Sequence, residues 1–177
     1  MIQAEKMEPR IKADYINPFI QSVGELFENM LDCPIHMGIP KVIEDHGRRS
    51  DVIGLVGLSG TTRGTIALRF PVETALKVIS RMVGTEFTSV DASVIEGIGE
   101  VTNIVAGNRK VRFRGQTISL SLPTVVRGSI CSIQKLENTD LLTVPFESEL
   151  GDFSLIIAIT PTVCPETGSA DANVGSR

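Results

Sequence analysis

Asp91-Ala-Ser-Val-Ile-Glu-Gly-Ile-Gly-Glu-Val-Thr-Asn-Ile-Val-Ala-Gly-Asn108 carries its apolar residues at Val94, Ile95, Ile98, Val101, Ile104 and Val105. At about 100° per residue these fall on one stripe, which predicts an amphipathic helix. Glu96, Glu100, Asn103 and Gly107 project to the opposite side. A carboxylate and a carboxamide, Glu100 and Asn103, should therefore stand one turn apart on the outer face. Asn gains little in the middle of an exposed helix. Gly107 leaves room on the same face for another surface to approach. Spacing alone favours a solvated helix face over a site built to meet a partner.

The pattern occurs twice. Asn17-Pro-Phe-Ile-Gln-Ser-Val-Gly-Glu-Leu-Phe-Glu-Asn-Met-Leu31 has its stripe at Phe19, Ile20, Val23, Leu26, Phe27, Met30 and Leu31. An offset of 75 residues carries Phe19 to Val94, Val23 to Ile98, Gly24 to Gly99, Glu25 to Glu100 and Glu28 to Asn103. Further on, Pro40-Lys-Val-Ile43 resembles Pro123-Thr-Val-Val126, and the text from Ile53 to Pro71 resembles that from Leu142 to Pro161. Helix, strand and hairpin are duplicated. Two copies are too few for a solenoid and point to one pseudo-twofold domain.

Glu-x-x-Asn within such a repeat, together with Ser121-Leu-Pro-Thr-Val-Val-Arg-Gly128, resembles the CheC/CheX/FliM family. Tyr15-Ile-Asn-Pro-Phe19 and Val144-Pro-Phe-Glu-Ser148 resemble its CheX branch, and the likeness runs from about Ala13 to Thr160. It implies an α+β fold: a CheC-like pseudo-twofold domain with two long repeat-related helices on a mainly antiparallel sheet. It also implies a phosphatase for a phosphorylated response regulator of the CheY type. Asn103 would orient the attacking water and Glu100 would pair with a regulator lysine. Glu96, Gly99 and Gly107 would border the partner. The resemblance gives the protein no cofactor of its own, Mg²⁺ arriving with the regulator, and makes a homodimer the expected assembly. The alternative is a FliM- or CheC-like module that binds a regulator or chemotaxis protein without hydrolysis. Glu96 departs from the Asp or Ser usual in the family, and the stretch from Asn103 to Pro123 is short. A carboxylate at Glu28, where the second copy has Asn103, would repel phosphoryl oxygens, so one working site is expected.

The remaining sequence narrows the class. The 177 residues suit one domain, here expected over residues 1–160, and 42% hydrophobic with 21% charged residues is ordinary globular composition. A net charge of −4 argues against nucleic acid as partner. No apolar run approaches a membrane span, the N-terminal text is not that of a signal peptide, and a cytoplasmic location is expected. Cys33, Cys131 and Cys164 are scattered, and His36 and His46 have no second ligand at metal spacing. Basic Arg109-Lys-Val-Arg-Phe-Arg114 suits a solvated helix end.

Element by element, a weak strand is expected over Ala4–Asp14, and a first helix capped by Asn17 with Pro18 at its first position. Strands follow at Gly38–Glu44, Val52–Leu58 and Thr62–Phe70, then a helix Pro71–Val83 closed by Gly84. The helix bearing Glu100 spans Asp91–Lys110. Strands close the chain at Thr117–Val126, Ser129–Lys135, Leu141–Glu147 and Phe153–Thr160. A polar tail, expected to be disordered, fills residues 161–177.

Overall fold

A computed structural model describes residues 13–42, 51–60, 62–108, 118–128 and 141–161. In chain order these form α1 (Ala13–Leu31), β1 (Ile35–Met37), β2 (Lys41–Val42), β3 (Asp51–Gly60), β4 (Thr62–Pro71), α2 (Val72–Val83), α3 (Ala92–Gly107), β5 (Ile118–Leu120), β6 (Thr124–Gly128), β7 (Leu141–Ser148) and β8 (Phe153–Pro161). The expected strand at Ser129–Lys135, the loop after Ile43, the basic run, Cys131, Cys164 and the tail beyond Pro161 lie outside the described residues.

All eight strands pair antiparallel in one sheet, ordered β1-β7-β8-β4-β3-β5, with β2 also on β7 and β6 also on β3. Exchange the two halves of the chain, and this order reads the same backwards. β4 and β8 meet at the centre, so the pseudo-twofold axis passes between them. Each outer flank repeats the same scheme. β1 pairs with the end of β7 and β2 with its start, as β5 pairs with the end of β3 and β6 with its start.

The ladder shifts the expected hairpin correspondence by one residue. Ile35 faces Ser148 and Ile118 faces Gly60. Leu141, rather than Leu142, therefore holds the place of Ile53, and Thr160, rather than Pro161, that of Pro71. Ile53 and Leu141 indeed share one side of the sheet, in a small cluster with Ala67, Ile156 and Ala158. In a strand, a one-residue shift moves every side chain to the other face.

The main core lies on the opposite side of the sheet, under all three helices. Leu68, Phe70, Val144, Phe146, Leu155 and Ile157 point up from alternate strand positions to meet Phe19, Val23, Phe27, Val78, Ile98 and Val101. Phe153 sits at its centre, stacked on Phe27 of α1 at 4.5 Å, Phe146 of β7 at 5.1 Å and Phe70 of β4 at 5.3 Å. Gly84 ends α2 in the left-handed region, its φ of 76° open to glycine, and its N–H donates to the Ser80 carbonyl.

Several boundaries differ from expectation. The helix expected over Asp91–Lys110 ends at Gly107, with Asn108 as its extended C-cap. The first helix begins by Ala13 and runs through Pro18, so Ala13 and Asp14 are helical rather than extended and Asn17 is not its cap. Pro18 forgoes one helical hydrogen bond. Ile16, buried in the core, holds the extra turn in place. The strand expected from Gly38 begins earlier and breaks into β1 and β2 at Gly38–Pro40, and the one expected over Thr117–Val126 breaks into β5 and β6 at Ser121–Pro123. Pro40 and Pro123 have no N–H for a ladder, so each copy kinks at the same place.

Candidate active site

Asp91 starts α3 as an N-cap, its carboxylate accepting from the Val94 N–H at 3.0 Å. The helix lies against β3, β4 and β6 below and against α1 and α2 beside it. Two glycines allow the close fit. A Cβ on Gly54 of β3 would collide with Oγ1 of Thr102, and one on Gly97 would press on Ile79 of α2. Thr102 is fully buried and donates instead to the Ile98 carbonyl at 2.7 Å.

Burial of Val94, Ile98, Val101 and Val105 fixes the rotation of α3 and turns the other side outward. Glu96, Glu100 and Gly107 are exposed and Asn103 is half-buried. Glu100 and Asn103 thus stand one turn apart on the outer surface. Ile95 and Ile104, placed on the stripe, lie at its margins, Ile95 being 38% exposed.

Gly99 is placed differently from the expectation that it borders a partner. It is buried, and a Cβ there would lie 3.5 Å from Val125 Cγ2 and 3.8 Å from Pro123. Its contact is with the β5–β6 flank of its own chain. Gly107, two turns on, is 3.6 Å from Leu120 Cδ1 by the same measure. Residues 120–125 therefore run alongside α3 from Gly107 to Gly99. Asn103, midway between those glycines, lies beside this ledge, with Glu100 on the open crest.

The ledge is pinned. The Gly57 N–H donates to Ser121 Oγ at 2.9 Å, the Ser121 N–H donates to the Gly57 carbonyl at 2.9 Å, and the Ser121 hydroxyl donates to the Leu122 carbonyl at 2.8 Å. The sequence reading placed these residues in a continuous strand. The signal that could have separated them is Pro123, which cannot pair in a ladder.

The equivalent face of α1 is engaged within the chain. Glu25 is half-buried and its Oε2 accepts from Asn108 Nδ2, just beyond α3, at 3.1 Å. Glu28 is exposed. Among the described residues no group of three or more His, Cys, Asp or Glu side chains could hold a metal ion, and no helix is long and apolar enough to cross a membrane. Grooves of about 490 Å³ beside the α2 C-terminus and about 290 Å³ near Asp51 and Arg69 include no residue of α3. Glu100 and Asn103 stand on the outward face of α3, open to a surface that approaches from outside.

Residues 52–147 match the family described as chemotaxis phosphatase CheX. The chain belongs to the CheX family. It is 29% identical over 150 residues to the CheY-P phosphatase CheX of Thermotoga maritima, covering 83% of this chain and 96% of that one. The chemotaxis protein CheX of Vibrio vulnificus superposes with a TM-score of 0.75 at 28% identity, covering 84% of this chain and 100% of that one. The CheX of Borrelia burgdorferi, solved as a CheX-CheY-BeF3-Mg²⁺ complex, superposes with a TM-score of 0.68 at 28% identity over 84% of this chain and 99% of that one. Family membership makes the chain a phosphatase and fits the antiparallel α+β architecture described above.

Proposed function

We propose that this protein hydrolyses the phosphoaspartate of a CheY-type response regulator, with Asn103 orienting the attacking water and Glu100 pairing with a regulator lysine. The observation that carries the reading is the placement of a carboxamide and a carboxylate one turn apart on an outward helix face of a CheX-family fold. In the reaction, a water oxygen attacks phosphorus as the bond to the aspartyl oxygen breaks, releasing inorganic phosphate and the free carboxylate. Phosphoryl transfer passes through a loose transition state, so in-line placement of the water is the main task left to the protein. An amide can accept from that water and donate to a neighbouring oxygen, whereas a carboxylate can only accept. Mg²⁺ belongs to the substrate in this scheme, as the regulator's own ion. A homodimer, formed through an exposed sheet edge, is part of the same proposal, and sedimentation mass tests it.

The experiment is to follow phosphoryl loss from purified CheY-type regulators with wild-type protein and with Asn103→Ala. Wild type shortens the lifetime of at least one regulator. The variant loses about tenfold to a thousandfold in turnover, the range for one positioning group. Its thermal stability stays the same, because a surface Asn→Ala change in a helix removes no core contact. Undiminished turnover in the variant refutes the role of Asn103, and a wild-type protein without effect on any regulator refutes the activity.

A further inference from the structure

Leu122 is 87% exposed and Leu120 38%. Exposed apolar side chains that stand singly are common on protein surfaces, whereas those grouped beside a site mark interaction surfaces. The support here is rigid, because Ser121 between them is hydrogen-bonded to both the N–H and the carbonyl of Gly57. The pair is also continuous with the proposed catalytic face. Leu120 abuts Gly107, Pro123 abuts Gly99, and Asn103 lies midway between those two glycines. A body large enough to reach Asn103 from outside, as a folded regulator is, must lie over this ledge.

We infer that Leu120 and Leu122 form the apolar half of the regulator footprint, beside the polar half made by Glu100 and Asn103. The inference rests on the phosphatase reading and adds the surface that sets the approach. Glu100 supplies a charge whose direction is loose. The ledge supplies area on one flank only, so it adds affinity and sets the side from which the partner approaches, while Glu100 and Asn103 align the phosphoaspartate. Interfaces draw most of their affinity from a few buried apolar anchors, with charges adding rate and register. Ile39 provides an internal comparison. It holds the place of Leu122 in the other half of the repeat, is 78% exposed, and lies on the flank that lacks an Asn103.

The test uses the full chain and the CheY-type regulator that the wild-type protein dephosphorylates. Leu122→Asp and the milder Leu122→Ala are compared with Ile39→Asp and Asn103→Ala. Steady-state turnover is measured, together with binding to the same regulator loaded with Mg²⁺ and BeF3⁻, a non-hydrolysable stand-in for the phosphoryl group. Leu122→Asp raises KM and Kd by about tenfold or more and leaves kcat within about twofold, with Leu122→Ala intermediate. Ile39→Asp changes neither. Asn103→Ala does the reverse of Leu122→Asp, lowering kcat and keeping Kd. Unchanged KM and Kd in Leu122→Asp, with Asn103→Ala inactive, overturns the ledge and leaves the phosphatase reading intact. Full turnover in Asn103→Ala removes the reading on which the ledge rests. A shift in sedimentation mass in Leu122→Asp, with the Kd for regulator unchanged, makes the ledge a contact between copies and also overturns the inference.

Discussion

Glu100 and Glu25 are counterparts in the repeat, yet their surroundings differ. Glu100 stands exposed on α3, while Glu25 is half-buried and accepts from Asn108. The same residue type therefore serves the outside in one half and ties α1 to the end of α3 in the other. Reversing the charge separates the two roles. Glu100→Lys replaces the proposed attraction to a regulator lysine with repulsion and raises KM, leaving the melting temperature unchanged. Glu25→Lys removes a hydrogen bond to a charged group and costs about 1–3 kcal/mol of stability, with kcat retained in the folded protein. Equal KM increases from both would mean two docking faces and reject the single site. Ser22 offers a smaller test. Its hydroxyl is buried with no hydrogen-bond partner among the described residues, and its repeat counterpart is Gly97. Ser22→Ala relieves that unpaired group and is neutral or stabilising by up to about 1 kcal/mol in denaturant titration. A loss of more than that would mean the hydroxyl has a native partner.

An element is positioned by what its neighbours lack. α3 settles onto β3 because Gly54 has no side chain beneath Thr102, and it meets α2 closely because Gly97 has none beside Ile79. In the other half the place of Gly54 is taken by Leu142, which is buried in the core. The two flanks of the sheet therefore share strand order but not helix height. Gly54→Val forces α3 outward or Thr102 off its rotamer. Overpacking of this kind costs about 1–3 kcal/mol, and the displaced helix carries Glu100 and Asn103 with it. Urea denaturation should show the loss of stability, and turnover should fall further than the unfolded fraction explains. Wild-type stability with wild-type turnover would show that the close contact between Gly54 and Thr102 is dispensable.

Across the whole molecule, the seam between β4 and β8 joins the two halves. Gly64 of β4 lies so close to Ala158 of β8 that a Cβ would strike its carbonyl oxygen, and Ile66 faces Ile157 over the core. Strands flanked on both edges and covered by helices open only with global unfolding, whereas short flank strands open locally. Amide hydrogen exchange should be slowest in β4 and β8 and fastest in β1, β2 and β5. Faster exchange at the central seam than at the flanks would mean that the halves open against each other as separate units.

The pattern of apolar residues determined much of this by itself. Helical period at Val94, Ile98, Val101 and Val105 fixed both the helix and its outward face, because burial of the stripe leaves one rotation for Glu100 and Asn103. The shared offset of the two helices was enough to require a pseudo-twofold domain, and the sheet order has that symmetry. Tertiary contact decided the rest. Gly99 lies near the polar side of its helix, but Pro123 and Val125, distant in sequence, cover it. Whether Ile53 corresponds to Leu141 or Leu142 depends on hydrogen bonds to the flanking strands, since neighbouring residues in one strand are alike in composition and opposite in direction. Local text says nothing of Asn108 reaching Glu25, or of Leu120 and Pro123 lying against Gly107 and Gly99. Both are distances between segments far apart along the chain, and only the packing of α1, α3 and the β5–β6 flank onto one sheet sets them.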